Sequence, residues 1–363
     1  MSGFFDFFGS LFGGGSSGGG SSAGPQTGSP GMAIKNTYLD IRYEMGGANT
    51  AGNINPKLAQ LKAEGYNTVT MAAQVSVNAK DGSIDSAGHP LPKDFWSIVD
   101  YAKNIGLKVY IKASVDIGVN PDGSVNAADP AFTSSSPLAA GVSASQVWAN
   151  VAAYDKGLAA QAQAHKVDGF FVGSNNLGFD TGANAQAYFA PVIAAVKSAY
   201  SGPVGYEAFY NNSVFGMVNI VDYQVKPPIG TGTSVAQIEA GWNATGHAQL
   251  LKNMADAYGN KTFIAHYNDE AQAGVGTGTS AWQLFLSNPG ALNSIQTNHQ
   301  EQVMAYQAFV NVSKNAGVKG VTIGEYDPWY VTSGPGYQQM ARLGVDLWSS
   351  PVSGQIAATL NAL

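Results

Sequence analysis

The chain has 363 residues, no cysteine, and only 12% Asp, Glu, Lys and Arg, against about 25% in an ordinary globular domain. The missing cysteine excludes a disulfide framework and thiolate metal sites, and a formal net charge of −6 leaves no basic stripe for nucleic-acid phosphates. No run of about 18 apolar residues occurs, so no membrane span is expected.

In chain order, the first feature is an apolar stripe. Phe4, Phe5, Phe7, Phe8, Leu11 and Phe12 recur at helical spacing. The segment lacks the basic n-region and continuous apolar stretch of a secretory signal. An apolar stripe without a core of its own must bury against something else. Residues 1–12 therefore read as a docking peptide for a protein partner. A membrane interface is the second reading, weakened by the lack of Lys or Arg on the polar face, and a disordered tail with no role is the third. A Gly/Ser tract runs from Gly13 to about Gly31, and residues 13–33 read as a flexible linker spanning roughly 20–25 Å. The folded domain occupies 34–363.

Within that domain eight β-rich runs alternate with helical pattern. The runs are Tyr38–Glu44, Thr68–Val77, Lys108–Ile117, Gly169–Asn175, Val204–Phe209, Val218–Val225, Thr262–Tyr267 and Val318–Tyr326. The helical segments are Pro56–Gly65, Asp94–Gly106, Ser143–Lys166, Ala185–Tyr200, Val235–Tyr258 and His299–Ala316, with a last helix or two in Tyr337–Leu363. Eightfold strand–helix alternation implies parallel strands and crossover helices. The expected fold is a closed α/β structure, the (β/α)8 TIM barrel. An open doubly wound sheet is the runner-up, but no glycine-rich phosphate fingerprint follows the first strand.

In such a barrel the chemistry sits at the C-terminal ends of the strands. Alternation places Asp40, Arg42 and Glu44 of the first strand toward the interior. It does the same for Thr70, Gln74 and Ser76, for Tyr110, Lys112, Ser114 and Asp116, and for Gly205 and Glu207. Carboxylates converging on one cleft can work as acid, base or nucleophile. An internal ion-pair network that fixes barrel register explains the same residues. Strand eight ends Gly324-Glu325-Tyr326-Asp327-Pro328-Trp329. That acid among aromatics suits a sugar site, yet by alternation with Val321 and Ile323 Glu325 points outward unless the strand bulges. Tyr206, Phe209, Tyr210, Tyr223 and Tyr267 also fall near strand ends. None of the five histidines has metal-ligand spacing, so no zinc site is expected. Asp81-Gly82-Ser83 and Asp122-Gly123-Ser124 read as turns rather than calcium loops. No Gly-x-Ser-x-Gly elbow points to a serine hydrolase.

Three stretches carry a resemblance. They are Val147-Trp148 through Tyr154 to Val167-Asp168-Gly169-Phe170-Phe171-Val172-Gly173-Ser174-Asn175; Val192–Tyr200 with Gly202-Pro203-Val204-Gly205-Tyr206; and Gln302–Tyr306 leading to Gly320 and Tyr326-Asp327-Pro328-Trp329. In this order they resemble a clan-A glycoside hydrolase barrel of the family 113 endo-mannanase type, from about Gly46 to Trp329. The resemblance implies an acid/base glutamate at the end of strand four, where this chain has Asn175 and Asn176. It implies a nucleophilic glutamate at the end of strand seven, where the chain reads Ala265-His266-Tyr267-Asn268. Retaining hydrolysis needs two carboxyl groups about 5–5.5 Å apart, and an Asn amide does not titrate near neutral pH.

The expected function is a polysaccharide-recognising, hydrolase-like barrel with impaired catalysis, tethered to an extracellular or virion assembly. The alternatives are an active glycosidase with a relocated pair, Glu207 with Asp116 or Glu44, and a purely structural decoration domain. The expected binding residues are Asp40, Arg42, Lys112, Asn175, Asn176, Tyr210, His266, Tyr267, Glu325 and Trp329. No cofactor or metal is expected.

Overall fold

The computed structural model describes residues 32–41, 50–78, 80–84, 90–119, 125–128, 135–137, 141–176, 179–229, 232–268, 293–326, 342–343, 347–348 and 350–363. Ten strands are present among them. Eight form the barrel: β1 (Ile34–Asp40), β2 (Thr68–Ser76), β3 (Lys108–Val119), β6 (Gly169–Ser174), β7 (Val204–Ala208), β8 (Ile220–Gln224), β9 (Thr262–Tyr267) and β10 (Gly320–Tyr326). The other two, β4 (Val125–Ala128) and β5 (Ser135–Pro137), add antiparallel pairings onto the far end of β3. Every barrel pairing is parallel, and the β2–β3 and β1–β10 ladders close the ring. The eight-stranded barrel is thus the observed fold, and the open sheet is excluded.

Closure depends on what fills the lumen. Ile34, Tyr110, Phe171, Ile220 and Ile264 form an inner apolar plug. Two bulky rings fit because glycine stands opposite them. A Cβ on Gly169 would lie 2.7 Å from Tyr110, and one on Gly205 would lie 2.8 Å from Phe171. The outward-facing residues, such as Leu39, Val69, Val109, Phe170, Val221 and Phe263, join the large core between barrel and helices. Tyr267 belongs to this outer layer. Its ring stacks on Phe309 at 5.1 Å and packs against Trp242 at 5.6 Å. Expected among the binding residues, Tyr267 instead faces the helices. The reason is the strict two-residue period of β9, which turns Ile264 and His266 inward and Tyr267 outward.

Several boundaries differ from those expected. The first strand begins at Ile34 rather than Tyr38, because Ile34 pairs with Gly320 and Asn36 with Thr322. Lys35, Asn36 and Thr37 are polar enough to read as linker, but Asn36 and Thr37 are fully buried. The first helix starts at Ala51 and contains Pro56. The Val235–Tyr258 segment is two helices, Val235–Ala244 and His247–Ala257, separated at Gly246 with φ 76°. Among the described helices none is long and apolar enough to cross a membrane.

Candidate functional site

Above the apolar plug the lumen becomes polar. Asn36 donates through Nδ2 to Thr70 Oγ1 and to Thr322 Oγ1, each at 2.9 Å. Thr322 Oγ1 donates to Asp222 Oδ2 at 3.3 Å. This belt joins β2, β1, β10 and β8 across the barrel.

The next level holds the charges. Lys112 Nζ lies 3.2 and 3.1 Å from the two carboxylate oxygens of Glu207. Both side chains are deeply buried, at 5% and 1% residue exposure. The ammonium also sits 4.1 Å from the centre of the Tyr38 ring, a cation–π contact. Gln224 Nε2 donates to Glu207 Oε1 at 2.7 Å, and Asn175 Nδ2 donates to Gln224 Oε1 at 3.1 Å. Asn175 Oδ1 in turn accepts from the Phe209 backbone N–H at 2.9 Å. Asn175 has φ 50°, the left-handed region that asparagine tolerates better than most residues. Its backbone N–H donates to the Glu207 carbonyl at 3.1 Å. The side chain of Asn175 is therefore the keystone of a turn leaving β6, and its amide is engaged at both ends.

His266, one strand further round, has Nδ1 3.5 Å from Asp222 Oδ1 and 3.5 Å from Gln224 Nε2. Burial alone would lower the imidazole pKa. The negative field of Asp222, Glu207 and Glu325 outweighs it and holds His266 above its usual range.

Glu325 enters the same cluster because β10 does bulge. Gly324 adopts φ 65° and the β1–β10 register slips between Asn36 and Tyr38, so that Tyr38 pairs with Glu325. The alternation is broken there, and the Glu325 carboxyl comes within the electrostatic reach of His266, Lys112, Asp40 and Glu207. Its pKa is raised by burial, against the opposing pull of His266 and Lys112. Asp40 is also buried in the lumen, at 1% exposure.

Two expected binding residues lie behind the strands rather than over the lumen. The Tyr206 hydroxyl accepts from Asn176 N at 2.9 Å and donates to Asp180 Oδ2 at 2.8 Å; the Tyr210 hydroxyl donates to the same oxygen at 2.5 Å. Burial pushes the Asp180 carboxyl up to about 6, with the two tyrosine hydrogen bonds holding it down from a higher value. Tyr206 packs on Phe189 in the outer core, so Asn176 and Tyr210 are drawn to that side. They brace the turn that carries Asn175. Arg42, Glu44 and Trp329 lie outside the described residues, as do the side chains of Asp116, Gln74 and Ser76.

The structure thus brings together Glu207, Lys112, Asn175, His266, Glu325 and Asp40 from the expected set. It adds Asp222, Gln224, Asn36, Thr322 and Tyr38. Alternation in Ile220-Val221-Asp222-Tyr223-Gln224 carried the signal for two of these.

Glu207, Asp222 and His266 are the described residues that come closest to a metal site, with ligand atoms within 4.8 Å of one another. Glu207, however, is already ion-paired to Lys112, and the Gln224 amide nitrogen stands between Glu207 and His266. The donors serve each other.

No family model matches the sequence, and no curated protein matches it. Solved structures do share the fold. A family 113 β-1,4-mannanase complex superposes with a TM-score of 0.64 at 17% identity, covering 91% of this chain and 99% of that one. The family 113 β-mannanase of Alicyclobacillus acidocaldarius gives 0.62 at 16% identity, covering 92% and 98%. A fungal β-1,4-galactanase gives 0.51 at 13% identity, covering 90% and 99%. The resemblance read from the sequence therefore holds at the level of the fold: the chain shares the (β/α)8 barrel of these structures over about nine-tenths of its length.

Proposed function

We propose that this barrel recognises a polysaccharide at its C-terminal rim and does not hydrolyse it. The observation that carries the reading is the state of Glu207. It is a deeply buried carboxylate of the lumen, and Lys112 at 3.1 Å and Gln224 at 2.7 Å hold it in place. A nucleophile must be able to reach a sugar carbon, and a general acid must carry a proton to give. Glu207 is instead committed to Lys112 and Gln224 inside the lumen. At the positions where the family resemblance implies the catalytic pair, the chain has an engaged amide, Asn175, and a buried imidazole, His266. Neither can supply the two carboxyl groups of retaining hydrolysis. A sugar ligand is supported by the fold shared with mannanases and a galactanase, and by the polar groups gathered at the lumen mouth.

The N-terminal aromatic stripe and the Gly/Ser linker support a tether to a larger extracellular or virion assembly. Deleting Met1–Phe12 is expected to leave the barrel folded and to release it from that assembly. Unchanged incorporation of the truncated chain contradicts the tether.

One observation favours a second reading. The bulge at Gly324 delivers Glu325 into the cluster, and burial raises its pKa above the usual carboxylate range, the direction a general acid needs. An active enzyme would then pair Glu325 with Glu207. Assay of new reducing ends on β-1,4-mannan and β-1,4-galactan separates the two. The non-hydrolytic reading expects none. Turnover that disappears in Glu325→Gln and in Glu207→Gln establishes the second.

A further inference from the structure

We propose that Phe209 is the stacking floor of a pyranose subsite on the barrel rim, selective for β-linked hexopyranose chains. The inference rests on the carbohydrate reading above and names the residue and the sugar face it would use. Phe209 directly follows β7, two residues beyond Glu207. It is the exposed large hydrophobic of the described residues, with 43% of its surface in water. The other large apolar side chains among the described residues are packed at least partly into the core. Burying a phenyl ring is worth roughly 1.5–3 kcal/mol, so part of that stabilisation is left for a ligand to collect.

A lone exposed phenylalanine on a mobile loop would carry little weight. This one is held. Its own N–H donates to Asn175 Oδ1 at 2.9 Å. The next residue, Tyr210, is anchored through its hydroxyl to Asp180. Asn212 then closes the segment, donating to the Tyr210 carbonyl at 3.1 Å and accepting from Phe215 N at 3.2 Å. The backbone under the ring is ordered before any ligand arrives, which lowers the entropy lost on binding. Through Asn175 it is continuous with the Gln224–Glu207–Lys112 chain. An apolar plate beside fixed amide groups is the arrangement that small-ligand sites use to combine area with orientation.

The chemistry of the plate selects the sugar. In a β-linked hexopyranose chair, the hydrogens at carbons 1, 3 and 5 all point to one face and form an apolar patch. An α-linkage puts the glycosidic oxygen on that face and breaks the patch. Phe209 has no polar tip to compensate.

The test is calorimetric titration of the full chain, its Phe209→Ala variant and its Phe209→Trp variant. The probes are β-1,4-linked manno- and galacto-oligosaccharides, with α-1,6-linked mannan oligosaccharides as the comparison. The expected result is binding of a β-linked probe, weakened about tenfold or more in Phe209→Ala and retained in Phe209→Trp, with little binding of the α-linked probe. Because Phe209 is already 43% exposed, both variants should melt within a few degrees of the parent, and that is checked alongside. Equal affinity of Phe209→Ala and the parent overturns the role of Phe209 and leaves the carbohydrate reading standing. Equal affinity for α- and β-linked probes overturns the face argument. A parent chain that binds none of the probes overturns the subsite and the carbohydrate reading together.

Discussion

A buried ammonium and a buried carboxylate are each costly alone, and in this lumen Lys112 and Glu207 answer one another. Removing one partner leaves the other charged and dry. Lys112→Met should therefore destabilise the fold by about 3–5 kcal/mol, measured by urea denaturation. The double variant Lys112→Met with Glu207→Gln should recover much of that loss. Additive losses in the double variant would mean that the two residues are not coupled. Asp155 is the opposite case. It lies in the helix Ala144–Ala164 at 0% exposure, and neither carboxylate oxygen has a hydrogen-bond partner among the described residues. Burial raises its pKa well above the usual carboxylate range. A raised native pKa means that the folded state holds the proton more tightly than the unfolded chain. The contribution is fully present below about pH 4 and is lost as pH rises through the native value. Asp155→Ala removes both the unpartnered group and that pH dependence. It should stabilise the protein at pH 8 by about 1–3 kcal/mol and flatten the stability curve above pH 4. A variant less stable than the parent at pH 8 would show that the carboxyl has a role the packing does not reveal.

At the scale of elements, the informative strand is β10. The two-residue period correctly separates lumen from outer core along β3, β7, β8 and β9. It fails at Glu325, because one glycine with φ 65° resets the phase. A Cβ on Gly324 would also run into the Leu347 side chain. Gly324→Ala should cost about 1–2 kcal/mol from the left-handed backbone alone, with more from the contact. It should also shift the titration of Glu325, followed by carboxyl chemical shifts against pH. An unchanged stability and an unchanged Glu325 titration would show that the bulge does not position the acid. The strand positions of Asp40, Lys112, Glu207 and His266 were legible because charged or polar residues alternating with Val, Ile and Ala have one stable orientation in a barrel. Tyr267 was misplaced because strand-end aromatics look alike until the phase of the strand is applied. Asp222 and Gln224 were passed over because their strand reads as largely apolar. Asn36 was hidden by its resemblance to linker sequence. The β4–β5 pairings had no signal beyond short polar runs rich in Ser, Ala and Asn.

For the molecule as a whole, fold and chemistry separate. The barrel is stated by eight strand–helix units, by glycines that admit Tyr110 and Phe171 to the lumen, and by an outer core packed around rings such as Trp242, Tyr267 and Phe309. None of this requires a catalytic pair. A fold held by its plug and outer layer does not by itself dictate the chemistry at its rim. The most direct measurement takes one sample of the full chain with soluble β-1,4-mannan or β-1,4-galactan and follows bound polysaccharide and new reducing ends together. The account predicts saturable binding with no growth of reducing ends over time. Reducing ends that accumulate, and that vanish in Glu207→Gln, would contradict it.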